Sequence, residues 1–292
     1  MRADLEAAAV PRQAPRRPAP VAVWGIPLAP VSAAEAVAAI GDLIEAREPS
    51  YLVSVNLNYA MLTHRDPRLR AVNDGAALAL ADGMPLLWAA RWRGTPLPER
   101  VAGSDLIFAL AGLAAERGYG VFLLGGAPGV GDAAAANLRA RYPGLRIVGT
   151  ASPPFRDLTA AEHDELIATI RAARPELLLV AFGQPKGELW VAEHCRALGV
   201  PVCAQLGASI DFAAGRVRRA PQFLRRTGLE WAFRLALEPR RLGGRYLRNA
   251  LFLLGRVPGA VADGLGGRLS RRSASRPAGP APSDRPRRSS EP

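Results

Sequence analysis

Five short apolar runs alternate with stretches of helical spacing through the middle of the chain, and that alternation most narrows what the chain can fold into. YLVSVN (51–56), YGVFLLGG (119–126), LRIVGT (145–150), ELLLVAFG (176–183) and VPVCAQLG (200–207) are each rich in Val, Leu or Phe and end in polar or Gly residues. Runs this short and continuously apolar fit strands buried on both faces. Between them, AAAANLRARY (133–142) and AAEHDELIATIRAA (160–173) carry helical periodicity. The pattern predicts an α/β, Rossmann-like fold: a mostly parallel sheet sandwiched by helices. Ligands of such folds sit beyond the carboxyl ends of the strands.

The chain has 292 residues, enough for one large domain with a full core. No apolar run approaches the roughly 20 residues that cross a bilayer. Pro and Arg break the opening MRADLEAAAVPRQAPRRPAP before it reads as a secretory signal. Two cysteines, Cys195 and Cys203, make no disulfide framework. A cytoplasmic protein is expected.

The net charge of +12 is local. From Gly215 onward there are 18 Arg against 5 acidic residues, whereas residues 1–214 hold 20 basic and 21 acidic residues. A positive field confined to the C-terminal quarter points to an anionic partner: nucleic acid, a phosphate-rich ligand or an acidic membrane surface. Segments 1–20 and 259–292 lack periodicity and are expected to be disordered. They bracket a core, 21–215, and a basic amphipathic module, 216–258. In the module, Thr227-Gly228 marks a helix start, Pro239 stops that helix, and a second follows through Tyr246, Leu247, Ala250, Leu251 and Leu254.

Chemistry-bearing residues cluster at the ends of the apolar runs. Ser54 and Asn56 close the first, and Asp82 lies in ALADGMP between an apolar run and a Gly turn. Each alone reads as a capping or turn residue; together they suit a proton-accepting site. The loop Gly125-Gly126-Ala127-Pro128-Gly129 follows a strand and opens a helix, a place for a phosphate on backbone N–H groups or for a plain Gly-rich turn. It has neither the Walker A Lys-Ser/Thr nor GxGxxG spacing. His64, His163 and His194 have no partner at metal-ligand spacing, and His163 and His194 are expected on solvated helix faces. With no Asp-x-Asp either, no metal and no cofactor are expected.

Several stretches, in order, resemble the WecG/TagA/CpsF glycosyltransferases (glycosyltransferase family twenty-six). They are SVNLNYAML (54–62), ADGMPLLWAARWRGTPLPERVAGSDL (81–106), VFLLGGAPGV (121–130), FGQPKGELWV (182–191) and LGASIDFAAGRVRRAPQFLRRTGLEWAFRLALEPRRLGGRYL (206–247). The last is the most specific, through its Asp-Phe-x-x-Gly, Arg-Ala-Pro, Gly-Leu-Glu-Trp and Glu-Pro-x-Arg elements. The resemblance implies transfer of a sugar (N-acetylmannosamine, its uronic acid or glucose) from a UDP-sugar to a polyprenyl-diphosphate-linked acceptor. Such transfers build cell-surface polysaccharide at the inner face of the membrane. It further implies Asp82 as general base with Ser54 beside it, and Asn56 and Arg100 in the donor pocket. Ser54 replaces the family's Thr and keeps the hydroxyl. Gly187 stands where the family's Pro-Lys-Gln-Glu has Gln, which bears on Gln184 and on sugar specificity.

Inverting transfer needs one carboxylate to take the acceptor's proton and positive groups to hold the departing diphosphate. With no metal expected, Arg side chains and helix N-termini are the available groups. Gly125, Gly126, Gln184, Arg216, Arg218, Arg219, Arg225 and Arg226 are the expected donor-side residues. Phe223, Trp231, Phe233, Arg234, Arg240, Arg241 and Leu251 are expected to dock the module on anionic lipid. A homo-oligomer would compete for the same apolar face. Two other readings remain: an Arg-rich nucleic-acid-binding protein, with binding that falls steeply with salt, and a nucleotide-dependent oxidoreductase.

Overall fold

A computed structural model describes residues 18–221, 223–224 and 227–274, with side chains through residue 256. Its centre is a six-stranded, wholly parallel sheet. The strands are β3 (Ser50–Val55), β4 (Leu78–Ala81), β5 (Gly120–Gly125), β6 (Arg146–Ala151), β7 (Leu177–Ala181) and β8 (Val202–Gln205), in the order β4-β3-β8-β7-β5-β6. All five expected strands are present, each within a few residues of its apolar run. The sheet also contains β4, whose four residues LALA are too short for the sequence to separate from a generic apolar stretch. A two-stranded hairpin, β1 (Val21–Val23) and β2 (Ile26–Leu28), precedes it, turning on Trp24 and Gly25, both at positive φ.

Alternate side chains of each strand feed two cores. Val121 and Leu123 of β5 join one, Phe122 and Leu124 the other. The first core is closed by α1 (Ala33–Ala46), α5 (Gly103–Arg117), α6 (Val130–Arg141) and α9 (Ser209–Ala213). The second is closed by α2 (Leu57–Arg65), α3 (Arg68–Gly75), α4 (Met84–Trp92), α7 (Ala160–Ala173) and α8 (Lys186–Leu198). This two-sided cover is why the strands read as unbroken apolar runs. Ser32 with Glu35 and Thr159 with Glu162 form capping boxes that start α1 and α7, each cap worth roughly 1 kcal/mol. The chain leaves β5 toward one face and β7 toward the other, so a crevice opens between their carboxyl ends.

The basic module forms α10 (Glu230–Leu237) and α11 (Pro239–Ala274). Pro239 both ends the first helix and opens the second, as its fixed φ and missing N–H permit. The helix start lies at Glu230 rather than at Thr227-Gly228. Helix α11 packs on α2, α4 and α10. Leu242 and Asn249 are buried there, Phe252 meets Trp24 edge-on at 5.6 Å, and Arg256 reaches Nδ1 of His64 at 2.8 Å. The helix continues to Ala274, past the expected boundary at residue 258. The remainder of both segments expected to be disordered, 1–17 and 275–292, lies outside the described residues.

Candidate active site

Asp82 is the first residue beyond β4, and its N–H donates to the Val55 carbonyl at 2.7 Å, fixing it against the end of β3. Its carboxylate oxygen Oδ2 accepts from Ser54 Oγ at 3.2 Å and from the Gly103 N–H at 3.2 Å. Gly103 opens α5, so the carboxylate also sits at the positive end of a helix. The pairing of Ser54 with Asp82 expected from the sequence is therefore made. Although Asp82 keeps part of its surface open, desolvation of the carboxyl pushes its pKa above the ordinary range, and the charge of Glu230 adds to the rise. Arg100, the Gly103 N–H and Ser54 pull the other way.

Arg100 acts on this carboxylate through its charge and is itself paired with Glu230 of α10, Nη1 to Oε2 at 3.1 Å, with both side chains largely buried. A second bridge joins module to core: Arg219 pairs with Asp105 on the first turn of α5 and stacks over Phe108. Asp211, on α9, is faced by Arg216, Arg241 and Arg234, and the Arg234 guanidinium also lies over Phe212. Arg216 and Arg218 are exposed. Arg225 and Arg226 lie outside the described residues. Glu230 and Gly103 were missed by sequence reasoning. The Gly-Leu-Glu-Trp element pointed at the first without showing its partner, and a backbone N–H leaves no sequence signal.

Asn56 caps α2, its Oδ1 accepting from the Tyr59 N–H at 3.0 Å. Gly125 and Gly126 are elsewhere, at the β5–β7 crevice, where a pocket of about 460 Å³ is bounded by them and by Pro153, Phe155, Phe182, Lys186 and Trp190. A Cβ on Gly125 would lie 2.8 Å from the Ala181 carbonyl oxygen, and its φ of +117° also favours Gly, so the chain turns here only without a side chain. His163 and His194 are not on solvated faces. They line the same pocket with their Nε2 atoms 3.1 Å apart and their rings against Trp190, and burial pushes the His194 pKa down. Each side chain's helix carries acidic neighbours in sequence, which hid an inward-facing pair 31 residues apart. Gln184 lies between the two clusters, its Oε1 accepting from Asn58 Nδ2 at 3.0 Å. Asp82 and Gly125 are separated by four strand spacings, roughly 19 Å at about 4.8 Å each.

Of the residues expected to dock on lipid, Phe223, Trp231 and Leu251 are exposed large apolar side chains, while Phe233 is partly buried. Arg240 and Arg241 are exposed, with Arg241 paired to Glu238, and Arg234 is drawn inward to Phe212. Among the described residues no helix is long and apolar enough to cross a membrane.

Residues 21–262 match the model of the Glycosyl transferase WecG/TagA/CpsF family. The chain is also 29% identical, over 198 residues, to an N-acetylglucosaminyldiphosphoundecaprenol N-acetyl-beta-D-mannosaminyltransferase of Bacillus spizizenii, an alignment covering 68% of this chain and 75% of that one. This match favours the glycosyltransferase expectation over the oxidoreductase and nucleic-acid-binding readings. A carboxylate at the edge of a parallel sheet, beside a basic C-terminal module, is thus set in a known frame: the chain belongs to the WecG/TagA/CpsF family of glycosyltransferases.

Proposed function

We propose that the protein transfers a sugar, with inversion and without a metal, from a UDP-sugar to a polyprenyl-diphosphate-linked N-acetylglucosamine at a membrane surface. The observation that carries this reading is the desolvated Asp82 carboxylate, bonded by Ser54 and Gly103 and acted on by the charges of Arg100 and the module's Glu230. Both bonds fall on Oδ2, so Oδ1 is the oxygen that takes the acceptor's proton. The acceptor oxygen attacks the anomeric carbon from the face opposite the diphosphate. The new C–O bond forms as the old one breaks, and that electron pair leaves on UDP. Because the carboxylate is desolvated, it is a stronger base than a free one.

The departing diphosphate gains charge, which guanidinium groups stabilise in a site that excludes water. Arg216 and Arg218 are exposed and stand ready for this role, whereas Arg219 is already committed to Asp105. The donor's base and ribose take the pocket at Gly125 and Gly126, with Trp190 and Phe182 as aromatic walls. An extended molecule, with base, ribose, diphosphate and sugar in line, bridges from that pocket toward Asp82. The relative from Bacillus spizizenii makes UDP-N-acetylmannosamine the first donor to try.

The test is a screen of UDP-sugars with a lipid-linked N-acetylglucosamine acceptor, run on the wild type and on Asp82→Asn. The variant should fold normally and lose about 10²- to 10⁴-fold in turnover. Near-normal turnover removes Asp82 from the role of base, and loss of wild-type turnover on adding a chelator removes the metal-free mechanism.

A further inference from the structure

Two buried polar atoms beside the crevice have no partner: Oε2 of Glu188, on the first turn of α8, and Oε1 of Gln205, the last residue of β8. Glu188 is 1% exposed and Gln205 fully buried. Unmatched buried groups of this kind are costly, and a folded chain keeps few of them. Gln205 is otherwise well placed, since its Nε2 donates to the Phe182 carbonyl at 2.9 Å and so ties down the turn that leads from β7 into α8.

The neighbour of both is Gly187. A Cβ built there would lie 2.1 Å from Gln205 Nε2 and 2.5 Å from its Cδ, so no side chain at 187 coexists with Gln205 in this position. Position 187 is the one at which this chain departs from the Pro-Lys-Gln-Glu pattern by lacking Gln. The space beside Gly187 is filled here by the Gln205 amide of β8. Gln184 and Gln205 both lie against the Glu188 carboxyl and favour its charged form, but desolvation outweighs them and pushes it up to about 7. In its protonated state the Glu188 O–H is a donor for Gln205 Oε1, which satisfies both unmatched atoms with one hydrogen bond. Gln184, partly exposed, then stands between this buried pair and Asn58 on α2.

We propose that Gln205 and Glu188 are positioning residues: they hold the Phe182–Lys186 turn and the Gln184 side chain in the orientation in which Gln184 meets the donor's sugar. The inference rests on the transferase reading above and deepens it, because it assigns sugar positioning to a buried amide on β8.

The experiment compares Gln205→Met, Gln205→Gly, Gly187→Gln and the double variant Gly187→Gln/Gln205→Gly. Each is followed by melting temperature, calorimetric binding of UDP alone, and kcat and KM with the UDP-sugar at fixed acceptor. Gln205→Met keeps the volume and removes the amide. It should melt near the wild type and bind UDP within about 2-fold, yet lose roughly 10- to 100-fold in kcat/KM with the UDP-sugar, the scale of a misplaced positioning group. Gly187→Gln alone should be worse or insoluble. The double variant should recover to within about 3-fold of the wild type, a coupling that independent sites do not show.

Wild-type kcat/KM in Gln205→Met, equal losses of UDP binding and turnover in it, or a double variant no better than either of its single parents overturns the assignment. A wild type that transfers no sugar from any UDP-sugar condemns the reaction itself, a failure distinct from these.

Discussion

Glu188 gives the sharpest test of how this site stores electrostatic energy. Its carboxyl is buried without a cation beside it, and desolvation lifts its pKa from 4.5 to about 7. The folded state then holds a proton that the unfolded state has released between those two values. Stability from this group is full below about pH 4.5, falls as pH rises through the window, and is flat above about pH 7. At about 1.36 kcal/mol per pKa unit the whole effect is about 3 kcal/mol. Roughly 2 to 3 kcal/mol of it falls between pH 5 and 7.5. For a domain of this size that corresponds to roughly 5–10 °C in melting temperature.

Glu188→Gln mimics the protonated acid and does not titrate, so the difference between wild type and variant isolates this group from every other. Melting followed by near-UV circular dichroism from pH 5 to 7.5 should show the wild type losing those degrees relative to Glu188→Gln. The Tyr59 phenol, pushed far above its ordinary value by burial and by the Glu188 charge, stays protonated throughout. Parallel melting curves for the two proteins over this window would refute the reasoning.

Replacing Glu230 by Ala removes a charge that raises the Asp82 pKa, so the acid limb of the kcat/KM profile should move to lower pH; Arg100→Met should move it higher. A shift in the opposite direction, read from pH-rate profiles, counts against Asp82 as the titrating base. Truncation before Gly215 should abolish both pelleting with anionic liposomes and transfer to a lipid-linked acceptor; full retention of both would show the module to be dispensable. Trp88→Ala/Trp92→Ala, on the outer face of α4, should weaken liposome binding at least 10-fold, about 1.4 kcal/mol, while UDP binding stays unchanged. Gly125→Ala should lower the melting temperature by several degrees, at about 1–3 kcal/mol for a strained backbone with a blocked Cβ.

The layered α/β architecture was legible because both faces of the sheet are covered, which turns each central strand into a continuous apolar word. LALA at 78–81 was not, since four residues carry no period. The site was legible only where a residue advertises itself. Asp82 and Ser54 end apolar runs and do meet. Glu230 closes on Arg100 across 130 positions, and Gly103 contributes a backbone N–H. His163 and His194 were misread because acidic neighbours in sequence say nothing of which way a helix faces. The Gly187 departure was visible in the sequence, but the Gln205 side chain that fills the space beside it comes from β8, 18 positions on.

The exposed apolar residues bear on the proposed use of a membrane-borne acceptor. Phe223, Leu229, Trp231, Leu237, Leu247, Leu251 and Leu254 belong to the module, and Trp88 and Trp92 to α4, on which α11 packs; among the described large apolar side chains that are exposed, Phe155 alone lies elsewhere. Trp88 and Trp92 are four residues apart and so share one face of the helix. Helix α4 begins two residues after Asp82 and spans nine residues, a length of roughly 14 Å at 1.5 Å per residue. A polyprenyl chain keeps its sugar hydroxyl within a few bond lengths of the headgroups. Under the proposed function, a base at one end of a short helix whose outer face is apolar would meet that hydroxyl without drawing the lipid out of the bilayer. Because Glu230 of the same module pairs with Arg100, and both act on the Asp82 charge, seating the module on lipid as proposed would bear directly on the charges around that carboxylate.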